Sequence, residues 1–185
     1  MTMSRKQRKP LTEEQKAARA EKRAARAANR SALDVALTML GRRDFSVSEI
    51  VEKLKSRDYS KDEITQTVEK LLSYNYLNDE RYANQFVSAR CRLRGWGPKR
   101  VALDLKKRGV SEDLIAQAIS LWQNEGDDGK GVDWAEQAAD LLTRKFGHWQ
   151  QLEPKERNRR LNFLLRRGYG MGVCLRALEL TYQEE

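Results

Sequence analysis

Moved 51 residues along itself, this chain lines up with its own next segment. Ile50 falls on Val101, Leu54 on Leu105, Ile64 on Ile115, Val68 on Ile119 and Leu71 on Trp122, so the aligned apolar positions stay apolar. Between the two apolar groups, Arg57 falls on Arg108 and Ser60 on Ser111. A further shift of 59 takes Leu105 to Leu164, Arg108-Gly109-Val110 to Arg167-Gly168-Tyr169, Ile115 to Cys174 and Ile119 to Leu178. The third copy is less faithful. Val101 lands on Arg160, with Leu161 beside it to take the apolar role, and the eight extra residues fit a longer loop around His148–Pro154. A unit that recurs in this way cannot bury its apolar face alone, and stacking against its neighbours is what covers it.

Each unit reads as helical. Ser46 with Glu49 and Ser60 with Glu63 have capping-box spacing, in which a hydroxyl and a carboxylate reciprocally satisfy the first free backbone N–H groups of a helix. Ile64, Val68 and Leu71 follow at i, i+4, i+7, one helical face. Pro98 suits a first turn, where its missing N–H costs nothing. A helix precedes each aligned pair: from Ser31 through Val35, Met39 and Leu40; after Asn78-Asp79 with Tyr82, Ala83, Phe86 and Val87; and after Asp133 with Trp134, Ala138, Leu141 and Leu142. The alternation expected of strands is absent. The expectation is an all-α chain of nine helices in three groups of three. Its parts are a basic, partly helical extension over 1–30, repeats over 31–77, 78–123 and 133–185, and a Gly- and Asp-rich hinge over 124–132 between the second and third.

Composition fits thin units better than one wide core. Charged residues are 34% and hydrophobic residues 39% of the 185, against about 25% and 45–50% in ordinary domains. No apolar run approaches the roughly 20 residues of a membrane helix, and the basic N-terminus has no apolar stretch behind it to make a secretory signal. Two cysteines, Cys91 and Cys174, make no disulfide framework and point to a reduced, cytoplasmic compartment. With one histidine, His148, they do not compose a zinc site. Phosphate-loop and nucleophile-elbow motifs are also missing.

The net charge of +9 is unevenly placed. Residues 1–30 hold +7; there Thr12 and Gln15 have capping spacing, and Glu13 and Glu14 suit the positive end of a helix from about 12 to 30. The window 88–110 holds another +7, with Arg90, Arg92, Arg94, Lys99, Arg100, Lys106, Lys107 and Arg108 opposed only by Asp104, while the rest of the body is about −5. Closely spaced basic groups neutralise phosphates and release counterions. The eight are therefore the candidate contact for a partner or for DNA. Trp96, in their midst, aligns with Phe45 and reads as core, with base stacking as the other use of its ring. Arg57, Arg108 and Arg167 stand at the turns, where basic side chains cap helix carbonyls. Tyr59, Tyr74 and Tyr76 read as closing helix packing, the cysteines as small apolar residues, His148 as a loop residue, and Asp127-Asp128 as solvated. The residues suggest no catalytic group, metal or cofactor.

Tyr76-Leu77-Asn78-Asp79-Glu80-Arg81-Tyr82-Ala83, then Gly95–Arg100, then Leu105-Lys106-Lys107-Arg108-Gly109-Val110-Ser111 resemble the central signature of RecX proteins, bacterial regulators of the RecA recombinase. Leu164-Leu165-Arg166-Arg167-Gly168-Tyr169 is similar to that family's third-repeat pattern, whereas Gly170-Met171-Gly172 departs from it by weakening a helix start. The resemblance covers about 31–180. It implies three tandem three-helix repeats in an elongated, curved body that binds in the groove of the RecA–DNA filament. It also implies inhibition of ATP hydrolysis and strand exchange and a block on filament growth, by a monomer, without catalytic residues, in contact with RecA and with single- or double-stranded DNA. Two other readings stand beside it. Residues 46–79 resemble half of a winged-helix transcription regulator, though no strand pair for a wing is found. A helical scaffold for an unrelated protein is the second. An enzyme is the remotest possibility.

Overall fold

The computed structural model describes residues 12–15, 17, 18, 21, 25, 30–125, 129 and 131–182. In the extension, the N–H of Gln15 donates to Thr12 Oγ1 (3.3 Å) and that of Thr12 to Gln15 Oε1 (3.2 Å), the reciprocal cap expected from their spacing. The described residues from 13 to 25 are helical, and most of the rest of the expected helix lies outside the described residues.

From residue 30 onward nine helices are described: α1 (Ala32–Leu40), α2 (Val47–Lys55), α3 (Lys61–Ser73), α4 (Asp79–Arg94), α5 (Pro98–Lys107), α6 (Glu112–Glu125), α7 (Trp134–Phe146), α8 (Pro154–Arg166) and α9 (Met171–Leu180). Among the described residues extended pairing is confined to one bridge, Trp149 with Tyr182. The starts follow local chemistry. Ser31 and Ser60 close capping boxes with Asp34 and Glu63, Asn78 and Asp133 accept from the first-turn N–H groups of α4 and α7, and prolines open α5 and α8. Despite its two glycines the last helix forms, with Gly170 extended at its N-cap.

The chain divides into two compact units. Ile50–Tyr76, with the chain up to Asp44, makes the first; Phe45–Glu49 and Leu77–Glu185 make the second. In the first unit α1 packs on α3. Its interior holds Ala32, Ala36, Ile50, Leu54, Ile64, Thr67 and Leu71, and the Tyr59 hydroxyl donates to the Arg30 carbonyl (3.0 Å). Two expectations fail here. Ile64 and Leu71 of the α3 stripe are buried, but Thr67 rather than half-buried Val68 is buried between them, as are its counterparts Ala118 and Ala177. Tyr74 and Tyr76 are exposed (72% and 54%) and do not close helix packing. Asn75 between them takes a left-handed turn, φ 55°, which swings the chain away from the helix end.

In the second unit α4, α5 and α6 pack on one another, as do α7, α8 and α9. One core runs through both groups, from Tyr82, Phe86 and Val87 through Val101, Leu105 and Trp122 to Leu142, Leu164, Tyr169 and Leu178. Each fully buried Leu or Val contributes about 1.5–3 kcal/mol. At its described ends the expected 124–132 hinge is tied to α6. Asn124 and Glu125 finish α6, the Val132 N–H donates to the Gln123 carbonyl (2.8 Å), and Trp134 Nε1–H donates to Gln123 Oε1 (3.2 Å). Residues 126–128 and 130 of that segment lie outside the described residues.

The second unit contains the same interlock twice. Ser46 Oγ donates to the Arg108 carbonyl (2.6 Å), and the Gly97 N–H donates to the Arg167 carbonyl (2.8 Å). Donors and acceptors are related by the shifts of 51 and 59. The glycine after each arginine makes the approach possible. A Cβ on Gly109 (φ +76°) would stand 2.4 Å from the Ser48 side chain, and one on Gly168 (φ +91°) 2.4 Å from the Arg100 backbone nitrogen. At such dihedrals and distances only glycine is accommodated without strain.

Candidate partner and nucleic-acid interface

The structure separates the eight basic candidates by what they already hold. Arg108, at the α5 C-cap, is half-buried. Its Nη1 donates to Glu49 Oε1 (2.8 Å) and to the Tyr82 hydroxyl (3.1 Å), and Nη2 stands 3.8 Å from Asp104. Tyr82 in turn donates to Glu49 Oε2 (3.1 Å). Burial, then the Glu49 charge, raise the Tyr82 pKa. Asp79 belongs to the same cluster and accepts the Val47 N–H (2.9 Å). Desolvation raises its pKa above the usual carboxylate value, the Val47 bond opposes this, and Glu49 adds to it. Arg108 is thus tied to Glu49, Tyr82 and Asp104. Lys106 is paired with Glu112, whose hydrogen bond raises the lysine pKa.

The other six lie toward solvent. Arg92 and Arg94 are exposed on the last turn of α4, Lys99 and Arg100 on the first turn of α5, Lys107 at its end, and Arg90 is half-buried. Two of them enter an alternating row of guanidinium groups and rings. Arg108 and Arg90 stand 5.0 and 4.9 Å from the Phe86 ring centre; Arg90 and Arg100 stand 5.2 and 4.5 Å from that of Trp96. Trp96 is half-buried, so its ring serves the core on one side and the arginines on the other. Such contacts hold a cation at about 0.5–2 kcal/mol each and fix its direction.

Two arginines outside the expected set complete the surface. The 95–100 turn docks on the 166–170 turn through Gly97 N–H to Arg167 O and Lys99 N–H to Gly168 O (3.1 Å). Across this seam Arg100 Nη1 donates to the Arg166 carbonyl (2.9 Å), and Arg167 Nη1 donates to the Arg94 carbonyl. Arg94, Arg100, Arg166 and Arg167 surround an open hollow of about 750 Å³. Leu93, Trp96 and Phe163 provide its apolar lining, and Arg167 lies 4.7 Å from the Phe163 ring centre. Among the described residues, no carboxylate pairs with Arg94, Arg100, Arg166 or Lys99. The sequence signal for the added pair was Arg166-Arg167 in the third-repeat motif, of which Arg167 alone was read, as a helix cap.

Two more residues, Arg160 and Arg167, behave differently from their sequence reading. Arg160, the mismatch in the repeat, is buried (5% exposed) and donates to the Gly147 and Phe146 carbonyls (3.0 and 3.2 Å), closing the end of α7. Arg57 does cap its own helix, donating to the Lys53 carbonyl (3.0 Å), whereas Arg167 caps another helix. Cys91 and Cys174 are buried thiols, and burial pushes Cys91 up to about 12. His148 lies exposed in its loop. Among the described residues no cluster of ligating side chains is arranged for a metal ion, and no helix is long and apolar enough to cross a membrane.

Fold and surface together define a tandem three-helix-repeat protein with an arginine-rich face. Comparison with known proteins gives the family. Residues 32–71, 78–119 and 132–178 match the models of the first, second and third three-helix domains of RecX, in that order. The regulatory protein RecX of Acinetobacter baylyi is 31% identical over 150 residues, 81% of this chain and 87% of that protein. RecX of Halorhodospira halophila is 33% identical over 74% of this chain and 79% of its own length. The crystal structure of RecX from Lactobacillus salivarius is similar at a TM-score of 0.65, with 23% identity, over 80% of this chain and 95% of that one. The chain belongs to the RecX family, a family of regulatory proteins.

Proposed function

We propose that this chain binds the RecA–DNA filament and inhibits the recombinase: its ATP hydrolysis, its extension along DNA and strand exchange. The observation that carries the reading is the ordered match to all three RecX domains. The exposed basic groups support it, because a concentrated cationic face suits a polyanionic filament or an acidic protein groove. Contact runs through Arg90, Arg92, Arg94, Lys99, Arg100 and Lys107; Lys106 contributes from its pair with Glu112, and Arg108 organises the surface from beneath. The chain acts by occupancy, as a monomer, without a reaction of its own.

The test is ATP hydrolysis by RecA on single-stranded DNA, with this protein titrated below the recombinase concentration. Strong inhibition at substoichiometric amounts is expected. Inhibition only near the number of DNA sites points to competition for the strand, and no inhibition refutes the reading. Replacing Arg92, Arg94 and Lys99 together by Gln should weaken filament binding more at low salt than at high salt; unchanged binding at both removes those residues from the contact.

A further inference from the structure

The hollow between the two docked turns has a chemistry that phosphate attraction alone does not explain. Arginine makes up most of its lining, with Leu93, Trp96 and Phe163 as an apolar patch between. Leu93, on the last turn of α4, is 75% exposed, an unusual position for leucine in the middle of a basic surface. The edge of Trp96 and the largely buried Phe163 lie beside it. Arg100 and Arg167 are each fixed twice, by a carbonyl across the seam and by a ring. One N–H of five is engaged in each of those carbonyl bonds. Heads held in this way lose little freedom on meeting a second ligand.

We infer that this hollow is a subsite for one unstacked nucleotide of a single-stranded nucleic acid, its base against Leu93, Trp96 and Phe163 and its flanking phosphates on Arg94, Arg100 and Arg166. The open hollow, about 750 Å³, has room for one nucleotide laid against its wall. A duplex presents phosphate ridges outward and keeps its bases stacked, so nothing apolar on it reaches Leu93. A single strand presents both parts at the spacing this surface offers. An acidic peptide satisfies the arginines but leaves the apolar patch uncovered. The inference extends the proposed filament contact and rests on that reading only for Arg94 and Arg100; Leu93, Phe163 and Arg166 are its own.

The experiment uses the full chain without recombinase. Fluorescence anisotropy measures binding to a labelled oligo-dT of about 15 nucleotides, to the same backbone without bases, and to a duplex of equal length. Expected is tighter binding to oligo-dT than to either alternative. Leu93→Ser, at an exposed position where folding is not at stake, should weaken oligo-dT on the order of fivefold and leave the abasic strand unchanged. Arg94→Gln with Arg166→Gln should weaken both strands and lower the magnitude of the log–log salt slope by about 1.4. Equal binding of oligo-dT, abasic strand and duplex overturns the subsite and leaves a general phosphate surface. A Leu93→Ser variant indistinguishable from the parent overturns it too, as does preference for an acidic peptide. RecA inhibition by the same variants is a separate readout. A chain that binds oligo-dT as described but does not inhibit sinks the filament reading alone; one that inhibits while Leu93→Ser binds normally sinks the subsite alone.

Discussion

Gly168→Ala is the substitution that tests the docked seam. At φ +91° an alanine is strained by about 1–2 kcal/mol. Its Cβ would also stand 2.4 Å from the backbone nitrogen of Arg100 and 2.9 Å from its Cα, atoms that cannot rotate away. The turns must separate, and with them go the bonds from Gly97 to Arg167 (2.8 Å) and from Lys99 to Gly168 (3.1 Å). Each is worth about 0.5–1.5 kcal/mol net. The expected loss is about 3–4 kcal/mol, or a fall in Tm of about 15 °C for a unit of this size. Urea unfolding followed by tryptophan fluorescence reads it directly, since Trp96, Trp122, Trp134 and Trp149 all belong to the second unit. Two companions separate the contributions. Gly97→Ala keeps the clash, 2.7 Å to the Gly168 carbonyl carbon, without the dihedral strain, because its φ is −81°; about 2 kcal/mol is expected from the hydrogen bonds lost. Gly172→Ala meets nothing within 4 Å on the first turn of α9 and should stabilise by about 0.5–1 kcal/mol. If Gly168→Ala lies within 1 kcal/mol of the parent, or Gly172→Ala is the more damaging of the two, the seam is not what holds these turns.

Three further outcomes are expected. Arg108→Gln should cost about 2 kcal/mol by depriving half-buried Glu49 of its guanidinium and, through the surface it organises, lower oligo-dT affinity slightly, whereas Lys107→Gln should lower that affinity at little cost in stability; denaturation and anisotropy on both variants check the pair. Asp79 has a raised folded-state pKa, so the folded chain holds that proton longer than the unfolded chain. Its contribution therefore weakens as pH rises from about 4 through the raised value, and Asp79→Asn should gain on the parent in denaturation midpoint over that window; a constant difference refutes the assignment. Cys91 and Cys174 are buried thiols with raised pKa values, so an aromatic disulfide reagent should react slowly with the native chain and rapidly at both once guanidinium unfolds it.

The helix starts were legible because they are local. Ser31, Ser60, Asn78, Asp133 and Pro98 act within three residues of themselves, whereas Pro154, read as part of a loop, opens α8. The apolar stripe was legible to within one position. Periodicity finds the face but does not tell whether Thr67 or Val68 lies at its centre, since that depends on how close the next helix comes. The basic window was visible as charge, yet its division into a tied Arg108, a paired Lys106 and an outward remainder depends on Glu49 and Glu112. Arg166, Arg167 and Phe163 were the least legible, because they join Arg94 and Arg100 through contacts 66 and 73 residues apart. Tyr74 and Tyr76 misled because aromatic residues after a helix resemble closing residues until the left-handed Asn75 redirects the chain.

The placement of Phe45–Glu49 in the second unit has a consequence for how this chain can be cut. A fragment beginning at 78, as the sequence repeat suggests, leaves Arg108 without Glu49, the Arg108 carbonyl without Ser46 and Asp79 without the Val47 amide. A fragment beginning at 45 keeps all three. The period in which the sequence was duplicated and the period in which it folds are therefore out of phase by a few residues, and a repeat excised in the first frame is not a piece that stands in the second.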